Sequence, residues 1–243
     1  MTTETRSPIG PKIIAFHLPQ FHRIPENDEW WGEGFTDWTN VRRARPLYAG
    51  HEQPRIPLNG RYYDLAEESV REWQASLARE YRVDGFCYYH YWFNGRKLLE
   101  APTEAILRNG RPDFPFCFSW ANEPWTRSWD GASGKILIDQ RYGQEAEWRA
   151  HFEYVLPFFK DQRYLTHDGR PMFLIYRPQQ CREMPQMIAA WQRWAQDAGL
   201  PGIFFVKTLT CFDDRIGDAG FSAAVCFEPW LTIRRRASCI QHA

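Results

Sequence analysis

The hydrophobic positions of this chain form short apolar runs that alternate with stretches of helical periodicity. Apolar runs of about four to eight residues are typical of buried strands, and spacings of three and four mark one face of a helix. Six runs predict strands at 13–18, 86–92, 116–120, 172–176, 203–208 and 223–227. Between them, apolar spacings predict helices at 64–81 (with Asp64 and Glu67 as a capping box), 98–108, 148–157 and 187–198.

Alternation of strands and helices predicts an α/β fold with a parallel sheet and right-handed crossovers. We expect a (β/α) TIM-type barrel, with an open doubly wound sheet as the alternative. No GxGxxG or GxxxxGK[ST] motif follows the first run, which removes the usual reason to prefer a nucleotide-binding open sheet. Because a complete barrel takes eight strands and typically ~250 residues, we expect an incomplete barrel of about six parallel strands, with the last two βα units missing.

The pattern predicts one barrel domain over 12–230, flanked by tails at 1–11 and 231–243. Positions 19–63 show no periodicity and are rich in proline, glycine and tryptophan, so they are predicted as one long loop. Loops of this length inside a compact domain are usually functional or disordered. The density of aromatic residues argues against disorder here.

The composition is that of an ordinary globular protein with an excess of aromatic residues. Lysine and arginine total 30, as do aspartate and glutamate, so the formal net charge is +0 and nothing favours a nucleic-acid partner. Aromatic residues make up 16% of the chain, including 12 tryptophans. Aromatic rings stack on sugars but also fill cores, so their positions must decide between these uses.

No apolar run approaches the roughly 20 residues of a membrane helix, and the first dozen residues lack the apolar core of a signal peptide. The six cysteines form no CxxC pair, and Cys87, Cys117 and Cys226 lie inside strand-like runs. Reduced, buried thiols are the simplest interpretation. We therefore expect a cytoplasmic protein without membrane insertion; its oligomeric state is not predicted.

Two glutamates stand out at the ends of predicted strands. Small residues occupy the odd positions of the third strand and lead to Glu123, while Ala224 and Cys226 lead in the same way to Glu228. Because side chains alternate faces along a strand, both carboxylates are predicted to point into the barrel mouth, where they could act as catalytic acid and base on a glycosidic bond. The alternative for Glu228 is that it only neutralises a neighbouring arginine.

Around these glutamates we expect residues that bind a substrate by ring stacking and by hydrogen bonds to hydroxyl groups. The strand ends supply His17, Gln20, His90, Tyr91, Trp92, Trp120, Asn122, Trp125, Arg127, Trp129 and Asp130. The long loop supplies Trp30, Trp31, Asp37 and Trp38, and we expect its three tryptophans to lie over the strand ends, within reach of Trp125 and His90. The alternatives are a structural Trp-rich turn after the third strand, a purely structural His17, and loop aromatics that pack on one another.

The sequence lacks the motifs of several other kinds of catalytic site. The sequence has no HExxH or CxxC pair for zinc and no GxSxG nucleophile motif. It also has no DxD run, which weakens the case for a metal-dependent nucleotide-sugar transferase. We therefore expect chemistry without a metal or an organic cofactor, on a glycan substrate.

Three stretches resemble the WbsX-like family, which is akin to glycoside hydrolase family 99. They are AFHLPQFHRIPENDEWWGEGFTDWTNV at 15–41, DGFCYYHYWFNGRKLLE at 84–100 and FPFCFSWANEPWTRSWDG at 114–131. The resemblance covers roughly 12–230 and implies a (β/α)8 barrel that acts on glycans. Its relatives are described as endo-acting α-mannosidases or as glycosyltransferases, and the family is often encoded with surface-polysaccharide biosynthesis genes.

The chain departs from this family pattern in two ways. The family commonly shows Asn-Glu-Asn-Trp where this chain has Asn-Glu-Pro-Trp at 122–125. The family also continues past this C-terminus, and the paired catalytic glutamates of its hydrolase relatives lie in that later part. Their roles are therefore not carried over to Glu123 or Glu228.

The sequence thus predicts a carbohydrate-active protein that cleaves or transfers glycosidic bonds. The family resemblance implies that the bonds are of α-mannoside type and that the protein is linked to surface polysaccharide metabolism. One alternative is a nucleotide-sugar-dependent glycosyltransferase of polysaccharide biosynthesis. The other is a truncated, inactive sugar-binding relic.

Overall fold

The structure is a computed structural model that describes residues 10–127, 135–210, 220–229 and 231–233. Its strands are β1 (Ile14–His17), β2 (Gly85–Phe93), β3 (Arg96–Leu98), β4 (Phe116–Trp120), β5 (Trp125–Thr126), β6 (Ile136–Ile138), β7 (Thr166–His167), β8 (Arg170–Ile175), β9 (Phe204–Leu209) and β10 (Ala223–Cys226). Its helices are α1 (Pro25–Trp31), α2 (Asp37–Arg43), α3 (Glu68–Glu80), α4 (Ala101–Asn109), α5 (Glu145–Phe159) and α6 (Met184–Asp197), with short 3-10 helices at Leu58–Gly60 and Pro178–Gln180.

The main sheet has the strand order β1-β2-β4-β8-β9-β10, and every neighbouring pair along this path is parallel. Strands β3 and β7 add antiparallel to β2 and β8, and β5 pairs with β6 in a separate hairpin. The order never reverses, whereas a doubly wound sheet reverses at its switch point. The six predicted strands therefore form a half-barrel, and the prediction of an incomplete barrel is confirmed within the described residues.

The two faces of the sheet are distinguished by what their side chains contact. Phe118 of β4 packs against Phe158 of α5 at 4.9 Å between ring centroids, and Phe173 of β8 packs against Trp191 of α6 at 5.3 Å. These residues mark the helix-facing side. Because neighbours in register share a face, Ser119 and its partner Leu174 point to the opposite, inner side.

Four aromatic rings form a closed circuit on the inner side. Phe16 lies 5.6 Å from Tyr89, Tyr89 lies 6.4 Å from Tyr176, Tyr176 lies 5.5 Å from Phe227, and Phe227 lies 6.1 Å from Phe16, all between centroids. A layer of four inward side chains is the usual filling of this barrel type. Here it joins β1 at one edge to the residue that follows β10 at the other edge.

Some element boundaries differ from the predicted ones. Helix α3 begins at Glu68 without a side-chain cap, because the Asp64 carboxylate instead accepts the N–H of Ala66 in a local turn; the predicted capping box is wrong. Helix α5 continues past Pro157 to Phe159, since a proline in the last turn removes little of the helical hydrogen bonding. The predicted long loop contains α1 and α2, each of seven residues and too short to show a period.

Candidate active site

The end of β4 is tied to the segment that follows β8. Asn122 is fully buried, and its side chain makes two hydrogen bonds to the backbone of Arg177: Oδ1 accepts the N–H at 2.7 Å and Nδ2 donates to the carbonyl oxygen at 2.8 Å. The Tyr142 hydroxyl donates to the carbonyl oxygen of Asn122 at 2.9 Å. These bonds fix Arg177 beside the strand end that carries Glu123.

Glu123 and Arg177 form a half-buried ion pair, with Oε2 and Nε 2.8 Å apart. Burial raises the pKa of Glu123, and the positive charge of Arg177 partly opposes that rise. The negative charge of Glu123 in turn contributes to a raised pKa at Tyr89, whose ring is on the inner side. Glu123 therefore forms its ion pair with Arg177 where β4 and β8 end.

Asp37 supplies a second half-buried carboxylate. It is the first residue of α2, directly after Thr36, whose backbone N–H donates to the Thr39 hydroxyl at 3.3 Å in a capping box. Burial raises the pKa of Asp37, and the hydrogen bond that opposes this rise comes from its own backbone N–H. The sequence analysis expected this residue to bind substrate, and its negative charge acts on Tyr91 of β2.

Tyr91 of β2 links the two carboxylates. Its pKa is raised chiefly by burial, and the negative charges of Asp37 and Glu123 both raise it further. Its hydroxyl accepts a hydrogen bond from Gln20 Nε2 at 3.2 Å. Gln20, Asp37 and Glu123 come from three other segments, and each interacts with Tyr91 near the carboxyl end of β2; we call this region the mouth.

Aromatic side chains form a wall beside this mouth. Trp125 of β5 lies 5.4 Å from Tyr91 and 5.7 Å from Trp30 of α1, both in edge-to-face geometry. Trp31 stacks on Phe35 at 5.7 Å, and the Arg127 guanidinium lies 5.0 Å from the centre of the Trp31 ring. Trp30 therefore lies near Trp125, as the sequence predicted.

Trp38 packs within its own loop. Its indole N–H donates to the carbonyl oxygen of Tyr63 at 2.7 Å, and its ring contacts Phe21 at 4.7 Å and Tyr62 at 5.3 Å. For this residue the self-packed alternative holds.

Three predicted binding residues lie on the helix-facing side instead. His90 Nε2 is 2.8 Å from Nε2 of His151 in α5. Trp92 stacks on the His151 ring, with 4.7 Å between ring centroids and an interplanar angle of 4°. Trp120 pairs in register with His90 and donates its indole N–H to the carbonyl oxygen of Trp92 at 3.2 Å. Alternation along β2 and β4 explains this placement, so the prediction that His90 lies near the loop tryptophans is wrong.

His17 also points to the helix side. Its Nε2 is 3.0 Å from Gln74 Oε1 of α3, and burial lowers its pKa. It lines a mostly apolar cavity of about 480 Å³ between β1 and α3, together with Leu77 and Phe86. The structure therefore favours a structural role for His17 over a place in the mouth.

The predicted pairing of Glu123 with Glu228 is contradicted by the register of β10. Ala223 pairs with Val206 on the inner side, which places Ala224 and Cys226 on the other side of the sheet. Glu228 is exposed, and its Oε2 accepts the backbone N–H of Thr232 at 3.1 Å. The prediction for Glu228 failed because the small residues of β10, Ala224 and Cys226, are exposed rather than inward.

The sequence analysis did not select Tyr89, Tyr142, Tyr176 or Arg177. Tyr176 and Arg177 directly follow the β8 run, so the rule that active sites lie at the carboxyl ends of barrel strands could have found them. Trp129 and Asp130, predicted to bind substrate, lie outside the described residues.

In the described part of the chain, no group of three or more histidine, cysteine, aspartate or glutamate side chains could hold a metal ion. None of the helices described there is long and apolar enough to span a membrane.

Sequence comparison identifies one family and two similar proteins. The profile of the family described as Glycosyltransferase WbsX matches residues 13–242. An "Uncharacterized protein WxcX" of Xanthomonas campestris pv. campestris strain B100 is 42% identical over 230 residues, which cover 94% of this chain and 33% of that protein. The same protein of a second strain is 43% identical over 219 residues, which cover 89% and 31%. The chain thus spans about a third of the length of these relatives.

Several solved structures match this chain, among them the following two. One, described as a "Glycoside hydrolase-like protein", matches with a TM-score of 0.56 and 12% identity over 92% of this chain and 61% of the other. The GH99 endo-alpha-mannosidase from Bacteroides thetaiotaomicron matches with a TM-score of 0.45 and 14% identity over 82% and 55%. At these identities the first likeness concerns the fold alone.

Proposed function

The chain belongs to the glycosyltransferase WbsX family, and on this premise we propose that it binds a glycan at the carboxyl ends of its strands and cleaves or transfers a glycosidic bond there. One observation carries the proposal: Asp37 and Glu123 are two half-buried carboxylates of raised pKa that both act on Tyr91. Two carboxyl groups at one pocket are the usual equipment for this chemistry.

The surroundings of the two carboxylates assign different roles to them. Glu123 has Arg177 at 2.8 Å, which favours its ionised form. An ionised Glu123 can stabilise the positive charge that develops on the sugar ring, or remove a proton from the incoming hydroxyl group or water. Glu123 is therefore proposed as the base or the charge-stabilising carboxylate.

Asp37 is proposed as the proton donor. Burial disfavours its charged form, and the opposing hydrogen bond comes from its own backbone, so it retains a proton to higher pH than an exposed aspartate. A protonated carboxyl group can protonate the leaving oxygen as the glycosidic bond breaks. Pairs of carboxyl groups whose environments differ in this way are a common basis for acid and base assignments.

The wall beside the mouth is proposed to hold the sugar. Trp30 and Trp125 offer half-buried rings for stacking on C–H faces, and Gln20 offers an amide for hydroxyl groups. The proposal includes an α-linked, mannose-type glycan of surface polysaccharide metabolism, handled in the cytoplasm. These finer points rest on the resemblance of the three sequence motifs to the WbsX-like and family 99 proteins.

A second candidate function is transfer from a nucleotide sugar, which the description of the matching family as a glycosyltransferase favours. In that reaction the bond that breaks joins the sugar to a phosphate, and an acceptor hydroxyl group attacks. Glu123 would then act as the base on that hydroxyl group.

The deciding experiment measures binding, release and transfer of sugar on a panel of α-linked glycans, with and without nucleotide sugars. Release without a nucleotide sugar supports the first candidate, and turnover only with one supports the second. Binding without any turnover would identify a sugar-binding relic and remove the catalytic part of the proposal. Absence of both binding and turnover would contradict the whole proposal.

A further inference from the structure

The loop between α2 and α3 carries an unusual cluster of exposed apolar side chains. Leu47, Tyr48, Ile56 and Leu58 each expose 66–84% of their surface. Single exposed apolar residues are normal on protein surfaces, but four of this size within a dozen positions are not. We call residues 44–58 the α2–α3 loop.

The same region is strongly basic in a chain whose formal net charge is +0. Positions 42–61 contain five arginines and one glutamate, a local charge of +5 − 1 = +4. Arg42 and Arg61 lie over the rings of Tyr62 and Trp73, at 4.0 and 4.1 Å. Arg43, Arg45 and Arg55 are exposed and form no ion pair with any residue that the structure describes.

Internal hydrogen bonds give the loop a defined shape. His51 stacks on Tyr48 at 4.7 Å, and its Nδ1 accepts the backbone N–H of Leu47 at 3.2 Å. The Gln53 amide oxygen accepts the N–H of Arg55 at 3.2 Å. The apolar and basic groups are therefore held together on one short, ordered loop.

We propose that the α2–α3 loop is a docking surface for an anionic lipid membrane. Exposed leucine, isoleucine and tyrosine side chains can enter the boundary between headgroups and acyl chains, while exposed arginines are attracted to anionic headgroups. A specific protein partner usually contacts about 20–30 residues on each side, more than this loop provides. A polyanionic glycan would pair with the arginines but would leave the apolar side chains in water.

The proposed surface lies next to the candidate active site. Asp37 begins α2, and the loop begins where α2 ends, seven residues later. A helix of that length is about 10 Å long. Docking would therefore hold the mouth of the half-barrel close to the lipid surface.

Vesicle co-sedimentation tests the proposal directly. The chain is mixed with vesicles of phosphatidylcholine alone and with vesicles that also contain phosphatidylglycerol, at low and high salt. We expect binding to the anionic vesicles only, weakened by salt because exposed charges are screened. Failure to bind anionic vesicles at low salt would overturn the proposal.

Two variants separate the basic and apolar contributions. Replacing Arg43, Arg45 and Arg55 by alanine should weaken binding by roughly fivefold per arginine, about a hundredfold in total. Leu47→Asp should also weaken it strongly, while both variants keep the wild-type circular dichroism and thermal unfolding.

A matched control replaces the exposed arginines 111, 141 and 193, each in an ion pair elsewhere on the surface, by alanine. This control lowers the net charge equally and should bind more tightly than the loop variant. If both triple variants lose the same amount of vesicle binding, net charge alone explains the loss, and the assignment of binding to the loop is overturned. Self-association that Leu47→Asp abolishes, without vesicle binding, would assign the loop to a second copy of the chain instead.

Discussion

The rings of Phe16 and Phe227 lie 6.1 Å apart, although Phe16 is in β1 and Phe227 follows β10, at opposite ends of the six-strand parallel path of the main sheet. The N–H of Phe227 donates to the carbonyl oxygen of Leu209 at 2.8 Å, which extends the β10 pairing by one residue. Tyr89 and Tyr176 complete the circuit between the two rings. Among the described residues, β1 and β10 are therefore joined by side-chain packing rather than by backbone hydrogen bonds.

Phe227→Ala should lower the free energy of unfolding by about 1–2 kcal/mol. A fully buried phenylalanine costs about 3–5 kcal/mol on truncation, and Phe227 is only half-buried. Urea unfolding measures the difference, with the exposed Ile233→Ala as the control. A loss no larger than in the control would mean that the aromatic circuit does not hold the edges together.

The buried pair of His90 and His151 should make the fold sensitive to acid. Burial lowers the pKa of His90 to about 3 and lowers that of His151, so both are neutral in the folded state. An unfolded histidine has a pKa near 6.5, so below that pH the unfolded chain binds more protons. Stability is therefore complete above about pH 6.5 and is lost as the pH falls toward about 3.

Urea unfolding at a series of pH values tests this pair. The wild-type slope should approach about 1.4 kcal/mol per pH unit for each histidine, and His151→Leu should reduce it. The exposed His167→Gln serves as the control and should keep the wild-type slope. Identical slopes in all three proteins would show that the pair does not govern acid stability.

Arg177→Met should move the acidic limb of the pH–rate profile to higher pH. Arg177 opposes the burial that raises the pKa of Glu123, so its loss lets that pKa rise further. If Glu123 must be ionised to work, activity then requires a higher pH. As a control, Arg177→Lys keeps the positive charge and should shift the acidic limb less. If Arg177→Met does not move the limb, the ionisation that controls the rate is not that of Glu123.

Asp37→Asn should lower kcat/KM more for substrates with poor leaving groups than for substrates with good ones. A proton donor matters most when the leaving oxygen is basic, so the loss should be about 10²–10⁴-fold on glycans and much smaller on aryl glycosides with acidic phenols. The ratio of kcat/KM for the two substrate types measures the effect. An equal loss on both types would assign Asp37 to binding rather than to proton donation.

Much of the fold followed from local pattern because each strand of the half-barrel is an apolar run. The site was only partly predictable, since its residues depend on which face each strand buries. By alternation along their strands, Tyr91 and Glu123 belong with the inward-pointing residues. His90 and Trp120 occupy the alternate positions and face α5. For Glu228, the small residues of β10 predicted the wrong side of the sheet. Because β10 is an edge strand, its small residues Ala224 and Cys226 are exposed rather than inward.

Asp37 shows a second limit of local pattern. It was chosen as one acid in a Trp-rich loop, and nothing in its neighbours predicted that its charge would raise the pKa of Tyr91, 54 positions later. Arg177 was missed for a similar reason, since Asn122 fixes it through backbone bonds that no side-chain motif records.

The most direct test of the proposed site compares turnover of an accepted α-linked glycan by Glu123→Gln and Glu228→Gln. Glu123→Gln should lose about 10²–10⁴-fold in kcat while it still binds the glycan and keeps the wild-type circular dichroism, because the amide oxygen can still accept a hydrogen bond from Arg177. Glu228→Gln, an exposed carboxylate on the end of β10, should keep nearly full turnover. Full activity of Glu123→Gln, or an equal loss in both variants, would contradict the assignment of the active site.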